Sequence, residues 1–355
     1  MSDSIPTIAV DAMGGDQAPR SEVEGAVLAA EEYSVRIALV GPQDILRKEL
    51  ALRNSRALPI EVAHASEAIA MGDSAARAVR QKRDSSIRAA MRMVHEGSAG
   101  GVVSAGNTGA VMATAKIVLG TLPSVDRPAL AAVFPTLHGA NRIAGTLLID
   151  VGANVDCKPE QLRQFAVMGA AYSRLLLKVS DPRVGLLSIG SEQGKGNELT
   201  RETYRLLQQL PLRFVGNVEG RDLYNGAVDV IVCDGFIGNV ALKISEGLAD
   251  SVKGVLRDAV VRAAGEKKRP GPPQAAQEGV WMHAIEAISR GMDYSETGGA
   301  SLLGVKGVCT ICHGSSSPRA IKNAIRLTQE VIAAGLNETM EAELEKLRPA
   351  ARREA

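Results

Sequence analysis

Short apolar runs rich in β-branched residues recur along the chain, each ending abruptly in Gly, Asn, Asp or Ser before a helix-like stretch begins. The runs are Ile8–Val10, Ile37–Val40, Ile60–Val62, Val102–Val103, Leu130–Phe134, Thr146–Val151, Val184–Ile189, Phe214–Val215, Val228–Val232 and Val308–Ile311. Nearly continuous apolar runs of this length are the pattern of strands buried on both faces. Their alternation with helical stretches, such as Val111–Val118, predicts a three-layer α/β/α fold with a mostly parallel sheet.

From Glu246 to Ser295 the alternation lapses. Leu248, Val252, Val255, Leu256, Ala259 and Val260 recur at helical spacing, as do Trp281, Ile285 and Ile288, and a Pro-rich connector, Arg269–Gln277, separates the two groups. This predicts a helical hairpin standing off the sheet over 246–295. The chain then reads as one catalytic domain over 1–345 that includes the hairpin, with a polar, flexible tail at 346–355.

Composition narrows the classes. Hydrophobic residues are 45% and charged residues 23%, which excludes disorder over most of the length. Aromatics are only 3%, so the core is built from aliphatic side chains. Lys+Arg 41 against Asp+Glu 40 lacks the basic excess of a general nucleic-acid binder. No run approaches the ~18 apolar residues of a membrane span. The start, MSDSIPTIAVDAMGGD, has neither the basic residues nor the apolar length of a signal peptide. With 4 cysteines and no disulfide framework, the protein is expected in the cytoplasm with reduced thiols.

The segments following the strands carry the chemistry. They read DAMGGD (Asp11–Asp16), SAGNTGA (Ser104–Ala110), DVGANVD (Asp150–Asp156), SIGSEQGKGNE (Ser188–Glu198), CDGFIGN (Cys233–Asn239) and CHGSSSP (Cys312–Pro318). Ligands of open α/β sheets bind at the carboxyl edge, so these polar glycine loops are expected to converge there on one site. Turn geometry alone also calls for Gly, Asn and Asp, which explains any single loop without a ligand. SAGNTGA suits a phosphate. Gly106 and Gly109 permit a tight turn, while Asn107 and Thr108 add donors at a helix start. In SEQGKGNELT, Lys195 lies between Gly194 and Gly196, and Asn197 precedes a helix. The spacing is not that of a Walker loop, no Ser or Thr follows the lysine, and no G-x-G-x-x-G occurs. No G-x-S-x-G elbow supports a serine hydrolase.

Cys309-Thr310-Ile311-Cys312-His313 matches the haem-attachment spacing, but the cysteines read as small apolar strand residues. His313 falls where that strand gives way to a helix, with Ser315–Ser317 and Pro318 forming the helix start. It can serve an anion or a leaving group, or simply be satisfied by local backbone. Asp11, Asp16, Asp150, Asp156 and Asp234 are either cation ligands or turn residues; without a dense cluster, no metal is expected.

Taken in order, IAVDAMGGD, RAVRQKRDSS, SAGNTGA, DRPALA, DVGANVDCKPE, VGLLSIGSEQGKGNE, GNVEGRDL, CDGFIGNVALK, YSETGGASLLGVKG and HGSS resemble the bacterial phosphate acyltransferases, the acyl-ACP:phosphate transacylases of phospholipid synthesis. The resemblance covers essentially the whole chain. Gln17 stands where that family often has histidine. The resemblance implies a fold similar to the isocitrate/isopropylmalate dehydrogenase group, a homodimer, and no cofactor. It further implies transfer of a long-chain acyl group from acyl carrier protein to orthophosphate, with the product passing to a membrane acyltransferase that loads glycerol 3-phosphate. On that reading His313, Lys195 and Asn107 are the catalytic residues. Asp11, Gly14, Gly15, Gly106, Thr108, Asn154, Gly194, Gly196, Asn197, Asp234 and Asn239 bind phosphate or substrate.

The dehydrogenase-like fold also admits an NAD- and metal-dependent oxidative decarboxylase, and fold alone does not separate the two. A non-enzymatic lipid-interface scaffold is a further alternative that leaves the polar loops without a purpose. The hairpin's apolar stripe, with Lys253, Arg257, Arg262, Lys267, Lys268, Arg269 and Trp281, suits a dimer interface, peripheral contact with the inner face of the membrane, or both.

Overall fold

A computed structural model describes residues 5–53, 55–136, 145–265 and 298–347. Its strands are β1 (Thr7–Asp11), β2 (Arg36–Gly41), β3 (Ile60–His64), β4 (Gly101–Ser104), β5 (Ala129–Pro135), β6 (Gly145–Ile149), β7 (Arg183–Leu187), β8 (Arg213–Val218), β9 (Val230–Val232), β10 (Ala300–Leu303) and β11 (Val308–Ile311). Its helices are α1 (Arg20–Glu32), α2 (Gln43–Ala51), α3 (Ala75–Gln81), α4 (Ser86–His95), α5 (Thr108–Val118), α6 (Pro159–Leu175), α7 (Glu198–Leu207), α8 (Gly235–Gly265), α9 (Pro318–Ala333) and α10 (Leu336–Lys346). Every apolar run named above lies on or against a strand; β10, within GGASLLG, escaped the pattern because its apolar stretch is so short.

The strands form one 11-stranded sheet in the order β3-β2-β1-β4-β11-β10-β5-β6-β9-β7-β8. Most pairings are parallel; β10 runs antiparallel to both neighbours, and β5 and β6 form an antiparallel pair. Side chains alternate between faces, as strand geometry requires. On one face Ala9, Val102, Leu148 and Ile231 pack with residues of α4 and α5. On the other, Ile8, Val10 and Val103 pack under α1 and α9, and Leu147, Ile149 and Val232 under α6 and α10. Both faces of the sheet are therefore dry, which explains the continuous apolar runs.

The three antiparallel pairings have a consequence that the sequence pattern concealed. Following the register from Thr310 through Ser301 and Ala131 to Ile149 brings the carboxyl end of β11 level with the carboxyl end of β6, with the two strands pointing in opposite directions. Strands β1, β4 and β11 run one way, and β6, β9 and β7 run the other. The six glycine loops therefore do not converge on one edge. DAMGGD, SAGNTGA and CHGSSSP lie on one, and DVGANVD, SIGSEQGKGNE and CDGFIGN on the opposite one.

Helix α8 starts at Gly235 and runs unbroken to Gly265, so the helical segment expected from Glu246 begins inside the CDGFIGN loop. The connector and second arm of the expected hairpin lie outside the described residues. So does most of the expected tail, although Leu347 still packs against the core.

Candidate functional site

The first edge is held together by its own loops. Asp11 and Ser104 end adjacent parallel strands in register, and Ser104 Oγ donates to Asp11 Oδ2 at 2.7 Å. The same hydroxyl accepts from Gly106 N–H at 3.1 Å. Ser104 C=O accepts from Cys312 N–H at 2.8 Å, and Gly314 C=O accepts from Asp16 N–H at 2.8 Å. Gly14 crosses Gly106 so closely that a Cβ on it would lie 2.7 Å from the Gly106 nitrogen. Glycine is required there because two backbones meet. Burial raises the Asp11 pKa, against hydrogen bonds from Ser86, Ser104 and Met13 that lower it.

Asn107 caps α5: its Oδ1 accepts from Ala110 N–H at 3.0 Å. Its Nδ2 donates to Met71 C=O at 2.8 Å and Asp73 C=O at 3.2 Å. Both amide hydrogens are thus committed, and the side chain serves a ligand only by holding the loop. Thr108 is exposed at the first position of the helix.

His313 is exposed on the same edge. Its Nδ1 lies 2.8 Å from Ser315 Oγ and accepts from Ser315 N–H at 3.3 Å. A backbone N–H can only donate, so the neutral ring carries its proton on Nε2. That leaves Nε2–H free to donate a hydrogen bond to a ligand. Ser317 Oγ caps α9, accepting from Ala320 N–H at 3.2 Å.

The opposite edge is built around Asp150. Its carboxylate accepts from the N–H groups of Leu130, Gly152, Ala153 and Asn154 and from Asn154 Nδ2, at 2.7 to 3.2 Å. Burial raises its pKa against the pull of these donors. Asn154 spends its other amide hydrogen on Pro128 C=O at 2.7 Å. Asp234 caps α8, accepting from Phe236 and Ile237 N–H at 3.0 Å. Asn239 lies against Gly152, and a Cβ on Gly238 would collide with Asp150 C=O. Asn197 caps α7, with Oδ1 accepting from both the N–H and the Oγ1 of Thr200 at 2.9 Å. Gly194 and Lys195 are exposed in the preceding turn, and Gly196 has φ +99°.

The structure thus brings Asp11, Gly14, Gly15, Gly106, Asn107, Thr108 and His313 together. Asn154, Gly194, Lys195, Gly196, Asn197, Asp234 and Asn239 belong to the other edge. Within one chain the strands leading to SAGNTGA and GKGNE run in opposite directions, where one shared phosphate site was expected. Strands β4 and β7 are six places apart in the sheet, about 29 Å at ~4.8 Å per strand, and an orthophosphate spans only a few ångströms. Cys309 and Cys312 are buried on or just beyond β11, and burial pushes both thiols up to about 12. Sequence reasoning missed the bridging role of Ser104, the Ser315 partner of His313, and Glu22, buried beneath Gly15.

The family described as "Fatty acid synthesis protein" matches residues 6–339. A phosphate acyltransferase of Acidobacterium capsulatum is 54% identical over 343 residues, covering 96% of this chain and 97% of that one. The chain belongs to the phosphate acyltransferase family. Members of this family transfer acyl groups, so the chain is an enzyme. Further members from Koribacter versatilis and Geobacter sulfurreducens are 54% and 50% identical, covering 95% of this chain in each case and 92% and 94% of those chains. Among solved structures, a phosphotransacetylase from Streptococcus pyogenes superposes with a TM-score of 0.63 at 15% identity, over 93% of this chain and 94% of that one. A branched-chain phosphotransacylase from Enterococcus faecalis does so with a TM-score of 0.56 at 13% identity, over 92% of this chain and 99% of that one. These likenesses show that the family shares its α/β fold with them. Among the described residues no helix is long and apolar enough to cross a membrane.

Proposed function

We propose that the chain forms an acyl phosphate and free acyl carrier protein from long-chain acyl-acyl carrier protein and orthophosphate, at the edge that carries His313. The observation that carries this reading is identity of 54% to a phosphate acyltransferase along nearly the whole of both chains. Orthophosphate is largely dianionic near neutral pH and needs aim and desolvation more than a general base. Backbone N–H groups of the Gly14–Gly15 and Gly106 loops, with the start of α5, supply the aim. A phosphate oxygen attacks the thioester carbonyl, and the oxyanion of the tetrahedral intermediate is stabilised by loop N–H donors. As the intermediate collapses, the C–S bond breaks, His313 Nε2–H hydrogen-bonds the leaving sulfur, and the proton that the hydrogen phosphate gives up on becoming acyl phosphate completes the free thiol. That thiol has a pKa near ~8.5, so the hydrogen bond assists its departure without being indispensable.

Residues 1–345 act as one catalytic unit on this reading. Exposed Lys195, on the far edge, contacts the anionic surface of the carrier rather than the phosphate. The protein works in the cytoplasm as a homodimer, and the acyl phosphate passes to a membrane acyltransferase that loads glycerol 3-phosphate. An exposed apolar stripe on α8, comprising Phe236, Val240, Ile244, Leu248 and Val255, supports a dimer or membrane contact.

The test is to supply acyl-acyl carrier protein and phosphate with no NAD. Release of free carrier thiol, matched by acyl phosphate trapped as the hydroxamate, is expected. Reduction of NAD by a hydroxy acid, without thioester cleavage, would establish the oxidative decarboxylase in its place.

A further inference from the structure

Glu22 occupies the first turn of α1, where a carboxylate ordinarily faces water, yet it is 1% exposed. It lies directly beneath the DAMGGD loop, so close that a Cβ on Gly15 would strike its Oε1. Oε2 is buried and has no hydrogen-bond partner. Burial pushes its pKa up to about 7; the Asp11 and Asp16 carboxylates add to the rise, and the Glu22 and Gly15 N–H groups oppose it. Cys312 faces it from the end of β11. Arg53 pairs with Glu24 and Glu49, and Lys322 of α9 pairs with Glu32 at the far end of the helix. The nearby charges acting on Glu22 are therefore both negative.

A buried carboxylate behind a loop of N–H donors works against an anion in front of it. It adds a like charge, and it claims the Gly15 N–H. Protonation removes the charge and weakens that claim. We propose that an oxyanion settling on the Gly14–Gly15, Ser104–Asn107 and His313–Ser315 loops draws a solvent proton onto Glu22, making Glu22 a positioning residue that neutralises the floor of the site. This rests on placing the phosphate at the His313 edge. It adds that binding there is linked to proton uptake: each raises the other's affinity by the same factor. The proton moves from the buffer to Oε2, and no covalent bond of protein or ligand changes.

Sulfate is the probe, because it remains a dianion throughout the neutral range while phosphate itself titrates. Calorimetry near pH 7 in two buffers of different ionisation heat counts the protons taken up, and about half a proton per sulfate is expected. Between about pH 6 and pH 8.5 the wild-type affinity falls about tenfold, and Glu22→Gln abolishes both the uptake and the pH dependence. An unchanged uptake in Glu22→Gln would assign the proton to His313, Asp11 or Asp16 and overturn the proposal. So would wild-type binding that is independent of buffer and pH, or no sulfate binding at all. Thioester turnover, measured separately on the wild type, reports on the proposed reaction whatever the sulfate result.

Discussion

Ser104 Oγ donates a 2.7 Å hydrogen bond to Asp11 Oδ2 across the ends of two adjacent parallel strands. Because the same hydroxyl also accepts from Gly106 N–H, one small side chain fixes the distance between the DAMGGD and SAGNTGA loops. Ser104→Ala leaves a buried carboxylate short of a donor, and a loss of about 1–3 kcal/mol is expected. The Asp11 pKa, already raised by burial, rises further without this bond. A group with a raised folded-state pKa contributes stability below its unfolded pKa and loses it as pH rises through the folded value. Chemical denaturation should therefore show a larger deficit for Ser104→Ala in mildly alkaline buffer than in acid, and an equal deficit at both would contradict the assignment.

The same sign applies to Glu22. Its pKa rises from 4.5 to about 7 on folding, so its contribution declines between those values and stays low above them. Glu22→Gln removes the ionisable group without changing its shape. The variant should gain stability relative to wild type above about pH 7, by at most about 3 kcal/mol, and gain little near pH 5. Urea midpoints at the two pH values decide the matter.

His313→Gln should fold normally, since the side chain is exposed. If Nε2–H stabilises the leaving sulfur, turnover falls about a hundredfold with the natural thiol. A thioester with a more acidic leaving thiol should recover most of the loss. Equal losses with both substrates would remove the role at the leaving sulfur.

Asn107 and Lys195 should part company. Asn107→Ala loses the α5 cap, about 1 kcal/mol, and releases the loop from Met71 and Asp73. The apparent KM for phosphate should rise about tenfold. Lys195 follows β7, six places from β4 in the sheet, so Lys195→Ala should leave that KM within about twofold and instead raise the KM for the carrier-borne thioester. A tenfold phosphate effect from Lys195→Ala would return both loops to one site.

Cys309 and Cys312 should behave as hydrocarbon. With pKa values pushed up to about 12, the thiolate fraction near pH 8 is roughly one in ten thousand. Native protein should resist thiol reagents at these positions, and unfolded protein should react readily. Replacing both with Ala should leave thioester turnover nearly intact.

Much of this was legible from composition and order. Runs such as Ile8–Val10 and Val228–Val232 announced strands because a sheet covered on both faces must be apolar throughout, and glycine loops announced strand ends. The caps at Asn107, Asn197 and Asp234 were visible as residue types, but their commitments were not. Whether an Asn amide faces a ligand or a neighbouring carbonyl depends on a partner such as Met71, 36 residues away in sequence. Glu22 gave no signal, because a first-turn glutamate is usually a solvated residue favoured by the helix dipole.

The chain's local pattern of apolar and turn-forming residues determined the strands, the helices and the loops between them, since those depend on neighbours a few residues apart. Which loops share a site was decided only by the tertiary structure. Strand direction is set by pairing across the sheet, and three antiparallel contacts at β5 and β10, the latter within a stretch too short to announce itself, turn half of the carboxyl ends to the opposite edge.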